Sequence, residues 1–442
     1  MKSDISGFPE FLPQEQIAFN RIVDIIKEQF EFYGFSPLDT AAVERIDTLL
    51  AKGNDNEIYG LYRLADEKSK KDIGLRFDLT VPLARYVVSN FGQLVFPYKR
   101  YQISPVWRGE RPQHGRYRQF YQCDIDIIGD ESLSIEHDAE IISLVTNALQ
   151  AIDIPSFHTR LNNRKILSGF LKTIVAENKI TEVIKLIDKM EKISPEEFDK
   201  SVAEFITSQR NISQLKTFLD IGKGRGNLEL LECLKAVSFN EEYSRGVAEL
   251  GEVLRLLQKL GIEDDLVRIS PQLARGLTYY TGTVFETEFD GDMSDIGSIS
   301  GGGRYDDLTA RLSNKMFPGV GATIGISRLA PKLMEKGLLK VDKQSPATVL
   351  VTVQNRKFIE NYMKISNDLR KIGVKTEIYL QDKNLGAQLS YADKKGYEFV
   401  IIANESELSA NRAIVRNLKT KEQSVIRIDD MSKEVIGLLS ST

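Results

Sequence analysis

Residues 101–122 read YQISPVWRGERPQHGRYRQFYQ, two strand-like runs around an arginine-rich centre. Residues 99–120 contain six basic side chains and one acidic one. Such a segment can bind phosphate, because arginine donates paired hydrogen bonds to phosphate oxygens and keeps its charge when partly buried. Taken alone, a basic run more often forms a solvated charged face. The residues around it have to distinguish the two interpretations.

Candidate strands and helices extend outward from this segment in both directions. Runs rich in β-branched and aromatic residues, several of them alternating, predict strands. These runs are residues 73–77, 102–107, 120–128, 157–162, 266–271, 283–289 and 321–325. An amphipathic helix precedes them, since Ile22, Ile26, Phe30 and Tyr33 form one stripe after Pro13. Its apolar face needs a sheet to cover, so the sequence predicts an α/β core.

The middle and the end of the chain differ from this core. Residues 163–240 contain only helix-like patterns, among them a helix start at Ser194 with Pro195 and Glu197 in the first turn. Because strand-like segments resume only afterwards, we interpret the block as a helical insertion. After a polar joint at residues 340–345, strands are predicted at 348–353, 376–380 and 399–403, and helices at 356–372 and 386–395. This alternation indicates a small α/β domain with a mostly parallel sheet.

Composition narrows the class of protein. The chain has 442 residues, 42% of them apolar, which is enough for two or three domains with buried cores. A charged start, and no apolar run near the roughly 20 residues of a membrane span, predict a cytosolic protein. Two cysteines and three scattered histidines predict neither a disulfide framework nor a zinc site. The net charge of −4 argues weakly against nucleic-acid binding, although residues 346–442 hold 15 basic and 12 acidic side chains.

Common nucleotide-binding motifs do not occur in the sequence. There is no G-x-x-x-x-G-K-[ST] loop, and Gly319, Gly321 and Gly325 have the wrong spacing for a dinucleotide fingerprint. Arginines dispersed over the candidate strands could clamp a nucleotide without such a loop. They are Arg76, Arg85, Arg108, Arg116, Arg118, Arg275, Arg304 and Arg328. Each of them, taken singly, is more often a surface ion pair.

Four further segments carry recognisable motifs. They are residues 75–80 (LRFDLT) with Arg85, residues 275–282 (RGLTYYTG), residues 302–306 (GGRYD) and residues 321–329 (GATIGISRL). Together with residues 101–122, which look like motif 2 of class II aminoacyl-tRNA synthetases, they resemble the signatures of the histidyl-tRNA synthetase family. The tail resembles the anticodon-binding domain of that family at residues 389–395 (LSYADKK) and 414–418 (IVRNL). The resemblance spans nearly the whole chain.

The resemblance implies an architecture and an activity. Residues 1–162 and 241–338 would form two parts of a catalytic core, a mixed and mainly antiparallel sheet flanked by helices. Residues 163–240 would be the helical insertion, and residues 346–442 the C-terminal α/β anticodon-binding domain. The class pairs through the edge that includes motif 1, which implies a homodimer with residues 44–50 near that edge. The implied reaction joins histidine to the 3′ end of tRNA(His) at the expense of ATP, with Mg²⁺ as the accompanying ion.

The resemblance also implies which residues hold ATP. Arg108 would hold the α-phosphate and Arg328 the γ-phosphate side, with Phe120 stacked on adenine. Glu110 and Arg116 would belong to the loop that closes over ATP and the tRNA acceptor end. These assignments rest on the family alone.

The family, together with the ammonium and imidazole groups of histidine, implies the residues of the histidine pocket. The implied set is Asp78, Thr80, Gln122, Asp126, Arg275, Tyr279, Tyr280 and Tyr305. Asp78, Thr80 and Gln122 would accept from the ammonium, whereas Asp126 and Tyr280, with Tyr305, would pair with the imidazole. The alternative for Asp126 is a strand-end carboxylate paired with an arginine, and the alternative for Tyr280 is a core aromatic with a wet hydroxyl.

Catalysis in such a site is electrostatic and positional, because the attacking carboxylate is already ionised and needs no general base. Arg275 would lie beside the α-phosphate and stabilise the charge that develops there, so Arg275 and Arg108 are the predicted catalytic residues. Two residues depart from the family pattern: Thr278 and Ser327 each stand where an acidic residue is usual. The first departure bears on the orientation of Arg275, and the second on one ion pair or metal contact.

Three other functions fit parts of the pattern. A regulatory paralogue of histidine biosynthesis shares the catalytic fold without charging tRNA, but Arg275 and the tail after residue 345 favour the enzyme. A sister synthetase for proline, threonine or glycine has a similar core and tail, and the segment from Arg275 to Tyr280 argues against it. The most general alternative is an α/β nucleotide-binding module without chemistry.

Overall fold

The computed structural model of the chain describes residues 5–50, 60–65, 71–112, 115–274, 280–306, 309, 312–313 and 315–440. The chain divides into two compact units. The larger comprises Lys2–Glu10 with Ile22–Leu338, and the smaller comprises Phe11–Arg21 with Leu339–Thr442. No helix within the described ranges is long and apolar enough to cross a membrane.

Apart from residues 13–21, which belong to the smaller unit, the helices and strands up to residue 338 build the larger unit around one principal sheet. The helices are α1 (Pro13–Phe32), α2 (Ile46–Leu49), α3 (Thr80–Asn90), α4 (Glu136–Ala151), α5 (Arg164–Leu171), α6 (Ile180–Lys189), α7 (Pro195–Ala203), α8 (Gln209–Leu219), α9 (Asn227–Ala236), α10 (Glu241–Lys259) and α11 (Ile326–Glu335). The strands are β1 (Ser36–Pro37), β2 (Val43–Arg45), β3 (Arg63–Leu64), β4 (Ile73–Leu75), β5 (Tyr98–Trp107), β6 (Gln119–Ile128), β7 (Phe157–Asn163), β8 (Val267–Ile269), β9 (Thr283–Phe289), β10 (Ser298–Tyr305) and β11 (Gly319–Ile324).

The principal sheet has the strand order β1-β5-β6-β11-β10-β9-β7-β8. Its two outermost pairs, β1 with β5 and β7 with β8, are parallel, and the pairs between them are antiparallel. This confirms the predicted mixed, mainly antiparallel sheet. Strands β2, β4 and β3 form a separate small antiparallel sheet.

Strand β6 shows how the two faces of the sheet differ. Its residues Cys123, Ile125 and Ile127 are fully buried on one face, the face against which α4 packs. The residues that alternate with them, Gln122, Asp124 and Asp126, are polar and lie on the opposite face. The sheet therefore has an apolar face toward the helices and a polar face available to a ligand.

Strand β10 is the one central strand of this sheet that sequence patterning missed. Its sequence, SISGGGRY, is rich in glycine, which is depleted from strands because it has no side chain to pack. Here the neighbouring strands come too close for a side chain: a Cβ on Gly302 would lie 2.2 Å from the Gly321 carbonyl oxygen, and one on Gly303 would lie 2.6 Å from the Thr283 carbonyl oxygen. Tight strand packing thus overrides the weak strand propensity of this segment.

Helices α5 to α10 follow β7 and precede β8. The helix start predicted at Ser194 is confirmed, because its side chain accepts a hydrogen bond from the Glu197 amide at the beginning of α7. Aromatic residues fill the core of this block: the rings of Phe170 and Phe218 stack 4.0 Å apart, and Phe239 packs edge-on against Tyr243.

The smaller unit contains a second sheet with helices around it. Its strands are β12 (Val349–Val351), β13 (Thr376–Ile378), β14 (Phe399–Ile402), β15 (Arg412–Asn417) and β16 (Gln423–Arg427), in the order β13-β12-β14-β15-β16. Its helices are α12 (Ile359–Lys371), α13 (Leu385–Lys395), α14 (Glu405–Ser409) and α15 (Met431–Ser440).

The predicted mostly parallel sheet of this unit is wrong for its last two strands. Strand β12 is parallel to β13 and β14, whereas β15 is antiparallel to both β14 and β16. The connections before β15 and β16 are short, and a parallel pair needs a crossover of about a dozen residues or more. Chain length between the strands therefore decides their direction.

Candidate active site

One cavity of about 470 Å³ opens on the polar face of the principal sheet. Its walls come from β6, β10 and β11, from the segment that joins β5 to β6, and from the beginnings of α3 and α11. Of the eleven predicted site residues that the structure describes, nine line it: Asp78, Thr80, Arg108, Glu110, Arg116, Phe120, Gln122, Tyr280 and Arg328. A volume of this size accommodates a nucleotide-sized ligand.

Backbone carbonyl groups hold two of the cavity arginines in place. Arg108 Nε donates to the Phe77 carbonyl oxygen at 3.1 Å, and its guanidinium carbon lies 5.0 Å from the centre of the Phe120 ring. Arg328 Nη1 donates to the Ser298 carbonyl oxygen at 3.0 Å. These hydrogen bonds fix the direction in which each guanidinium, a group with five N–H donors, extends along the cavity wall. This part of the cavity is suited to phosphate oxygens beside an aromatic ring that can stack on a base.

Four other members of the arginine set, none of them assigned to ATP by the resemblance, do not line the cavity. Arg76 is buried and donates to the carbonyl oxygens of Thr40 and Pro105. Arg85 pairs with Glu44, and Arg304 pairs with Asp138 of α4. Arg118 donates to the Glu110 carbonyl oxygen. These guanidinium groups join elements of the core, a use that the sequence spacing does not distinguish from ligand binding.

The floor of the cavity is polar. Asp78 Oδ1 accepts a hydrogen bond from the Val81 amide at 3.0 Å, which fixes the carboxylate at the beginning of α3. Gln122 of β6 and Thr323 of β11 also line the floor, above the buried Asp124. A floor with the Asp78 carboxylate at its surface and a second carboxyl buried beneath it favours a cationic ligand group.

Asp126 and Tyr305 are the two described residues of the predicted set that do not line the cavity. The Asp126 carboxylate lies 2.5 Å from the Arg100 guanidinium and accepts a hydrogen bond from the Tyr305 hydroxyl. Gly321 leaves room for it, since a Cβ there would lie 2.1 Å from Asp126 Oδ1. Asp126 is therefore a strand carboxylate paired with an arginine, which was the alternative to an imidazole-binding role. Burial, and then Asp126, raise the pKa of Tyr305 well above its usual value, so Tyr305 stays protonated.

Arg275 and Tyr279 lie outside the described residues, as does Thr278, but the chain on both sides of them is described. Arg164 anchors both flanks: its Nη1 donates to the Ala274 carbonyl oxygen at 3.1 Å and its backbone amide to the Gly282 carbonyl oxygen at 2.7 Å. Asn162 donates to the Leu273 carbonyl oxygen at 3.0 Å. Sequence reasoning missed Asn162 and Arg164, because an N-x-R spacing carries no signal of its own.

Ser327, which stands where the family usually has an acidic residue, makes a hydrogen bond within the protein. Its hydroxyl accepts a hydrogen bond from the Tyr121 backbone amide at 2.8 Å, which ties the beginning of α11 to β6. This contact holds Arg328, the next residue, at the edge of the cavity. Within the described part of the chain, no three His, Cys, Asp or Glu side chains are grouped to hold a metal ion.

Asp124 has an unusual pKa. Burial raises the pKa of its carboxyl to about 7, an effect that Arg100 opposes and that Asp126 and Asp78 add to. The unfolded chain releases this proton near pH 4. The folded form is therefore favoured most at low pH, and this contribution is lost as the pH rises through 7.

A change of Asp124 to asparagine should remove this pH dependence. The unfolding free energy of Asp124→Asn minus that of wild type is expected to be roughly 2–3 kcal/mol larger at pH 8 than at pH 5. The reason is that only wild type has to bury a charge at the higher pH. Urea unfolding of both proteins at the two pH values measures the gain. The same difference at pH 5 and pH 8 would show that the Asp124 carboxyl titrates normally.

Comparisons with known proteins agree on one family. Residues 7–329 match the family model described as histidyl-tRNA synthetase, and residues 347–438 match that of the anticodon binding domain. The histidine–tRNA ligase of Clostridium tetani is 39% identical, over 98% of this chain and 99% of its own. That of Finegoldia magna is 38% identical, over 98% and 99%.

Solved structures give the same result for the fold. The crystal structure of histidyl-tRNA synthetase from Nostoc sp. PCC 7120 is 36% identical and has a TM-score of 0.88, covering 98% of both chains. The apo histidyl-tRNA synthetase of S. aureus, at 23% identity and a TM-score of 0.69, has the same fold over 98% of this chain and 99% of its own.

Proposed function

This chain belongs to the histidyl-tRNA synthetase family, and we propose that its cavity converts histidine and ATP to histidyl-adenylate, from which histidine passes to the 3′ end of tRNA(His). The histidine carboxylate attacks the α-phosphorus and pyrophosphate leaves; a ribose hydroxyl of the tRNA then attacks the acyl carbon and AMP leaves. One observation carries the proposal: arginines beside an aromatic ring and a polar floor that includes Asp78 line the same cavity.

In this proposal the carbonyl-anchored arginines perform the first step by positioning and electrostatics. Arg108 holds the α-phosphate and Arg328 the γ-phosphate side, with Phe120 against adenine. Because both guanidinium groups are fixed before ATP arrives, they stabilise the developing charge without reorganisation. Arg116 and Glu110, both exposed at the mouth of the cavity, close over ATP and the acceptor end. Mg²⁺ bound with ATP would neutralise phosphate charge, and the carboxylates that line the cavity are those of Asp78 and Glu110.

Histidine lies over the polar floor in this proposal. Asp78, Thr80 and Gln122 accept from its ammonium, and Tyr280 pairs with the imidazole. Asp126 reaches the imidazole only by exchanging its hydrogen bond from Tyr305 for one from the ring. Arg275 and Tyr279 complete the pocket by family resemblance, with Arg275 beside the α-phosphate.

The remaining assignments follow from the family. The tail matches an anticodon binding domain, so tRNA(His) is the proposed macromolecular partner, and a second copy of the chain is the other. We propose a cytoplasmic homodimer in which residues 1–162 and 241–338 form the catalytic core, 163–240 the insertion and 346–442 the anticodon-binding domain. A regulatory paralogue without chemistry is the weaker alternative, because identities near 38% cover whole ligases.

ATP–pyrophosphate exchange with each amino acid in turn tests the proposed function. Exchange is expected with histidine only, since a pocket that hydrogen-bonds both imidazole nitrogens discriminates against apolar side chains by roughly 10⁴. Exchange with proline or threonine in its place would reassign the substrate. No exchange with any amino acid would favour the regulatory alternative.

A further inference from the structure

Three polar side chains lie side by side on the cavity face of β6 and β11. Asp124 is the direct cross-strand neighbour of Thr323, and Gln122, two residues before Asp124, projects from the same face of β6. The Thr323 hydroxyl donates to Asp124 Oδ1 at 2.6 Å. The Gln122 amide nitrogen lies 3.3 Å from the Thr323 hydroxyl oxygen and 3.5 Å from Asp124 Oδ1. Gln122 therefore ends a hydrogen-bonded series that begins at the buried Asp124 carboxylate.

This series decides which end of the Gln122 amide faces a ligand. The Thr323 hydroxyl donates its one hydrogen bond to Asp124, so it can only accept from Gln122. The amide must therefore direct its NH₂ group toward Thr323. Gln122 Oε1 is then buried, and no described residue donates a hydrogen bond to it. Gln122 is 8% exposed and lines the cavity. Because a buried acceptor without a donor is costly, the site is built for a ligand that donates an N–H or O–H.

We propose that Asp124 and Thr323 are positioning residues for the amino group of the substrate: they lock the Gln122 amide so that its Oε1 accepts a hydrogen bond from the histidine ammonium. The inference rests on the proposed function and names two residues of its pocket that the family resemblance did not supply. Neither residue bonds to a reacting atom; both act through Gln122.

The charges beneath Gln122 also suit an ammonium. The buried Arg100 guanidinium lies against Asp126, on the far side of Asp124 from Gln122 along β6. Burial raises the pKa of Asp124 to about 7 although Arg100 opposes the rise. A ligand cation near Gln122 would add positive charge and favour the ionised, accepting form of Asp124.

Variants of Thr323 test the proposal with little change in shape. Thr323→Val removes the hydroxyl that orients Gln122, so the KM for histidine in pyrophosphate exchange should rise about tenfold, whereas the KM for ATP stays unchanged. Thr323→Ser keeps the hydroxyl and should restore the wild-type KM for histidine. Asp124→Asn can donate as well as accept, which frees the Gln122 amide to turn, and it should raise the same KM.

Thr287→Val is the matched control. Thr287 is a buried threonine on β9 of the same sheet, its hydroxyl lies 2.9 Å from that of Thr159, and it does not line the cavity. This variant should leave the KM for histidine and the KM for ATP at their wild-type values. A loss common to both valine variants would be a general effect of a missing buried hydroxyl, and it would overturn the proposal.

Two histidine analogues locate the effect at the amino group. Histidinol keeps the ammonium and lacks the carboxylate, whereas imidazolepropionate lacks the ammonium. In competition with histidine, Thr323→Val should bind histidinol about tenfold more weakly than wild type does and imidazolepropionate equally well. Equal weakening of both analogues, or an unchanged KM for histidine, overturns the proposal. Failure of the proposed function is a separate result, because wild type would then show no histidine-dependent exchange.

Discussion

Histidine-dependent ATP–pyrophosphate exchange is expected to fall by about three orders of magnitude when Arg275 is replaced by alanine. The residue carries the charge that the resemblance places beside the α-phosphate, where negative charge grows as the carboxylate attacks. Asn162 and Arg164 hold the described chain on its two sides, at Leu273, Ala274 and Gly282, to the turn between β7 and α5. The loss should therefore be chemical: the KM for ATP and the unfolding temperature should stay close to wild type.

Arg268→Ala provides the control for this variant. Arg268 lies on β8, about half exposed, 3.4 Å from Asp290, and does not line the cavity. Its replacement should leave the exchange rate within about twofold of wild type, as expected for an exposed ion pair. An Arg275→Ala protein that exchanges as fast as wild type would remove Arg275 from the catalytic set and leave Arg108 to explain the chemistry.

The second large effect concerns stability: Asp138→Ala should lower the unfolding free energy of the larger unit by about 3–5 kcal/mol. Arg304 and Asp138 are both buried, and the guanidinium donates to both carboxylate oxygens and to the carbonyl oxygens of Leu133 and Ser134. Removing the carboxylate leaves a buried charge without its partner. Since Arg304 lies on β10, the loss also loosens α4 from the sheet that forms the cavity. Urea unfolding followed by circular dichroism measures the change.

Glu252→Ala tests the same interaction at the surface. Glu252 and Arg255 form an arginine–carboxylate pair of 2.6 Å on α10, but both side chains are more than a third exposed. Its removal should cost far less than that of Asp138, because solvent screens an exposed ion pair. If Asp138→Ala proved no more damaging than Glu252→Ala, the buried pair would not be what fixes α4 to β10.

Much of the fold could be predicted because local pattern and tertiary structure agree. Strands β6 and β9 have the β-branched and alternating residues that a half-buried strand requires, and both were predicted within a residue of their bounds. Strand β10 could not be predicted in this way, since its glycines are required by the approach of β9 and β11 rather than by its own propensity. The antiparallel end of the second sheet depends on connection lengths, which the alternation of elements does not express.

The candidate site could also be predicted only in part. The motifs named residues that line the cavity, because their spacing reflects the ligand they surround. They could not show that Asp126 pairs with Arg100 and accepts a hydrogen bond from Tyr305. Nor could they show that Arg76, Arg85 and Arg304 join parts of the core. Each of these contacts depends on a partner far away in sequence. Asp124 and Thr323 become recognisable only when β6 and β11 are paired. Asp124 also illustrates a conflict between function and stability, because the buried carboxyl that orients Gln122 lowers stability above pH 7.

A crystal structure with a non-hydrolysable histidyl-adenylate analogue would show whether one cavity holds both the nucleotide and the amino acid. We expect the adenine ring on Phe120, the phosphate mimic within hydrogen-bonding distance of Arg108, and the ammonium on Gln122 Oε1, all in the cavity of the polar sheet face. An analogue bound elsewhere, or one whose phosphate mimic contacts neither Arg108 nor Arg328, would contradict this expectation.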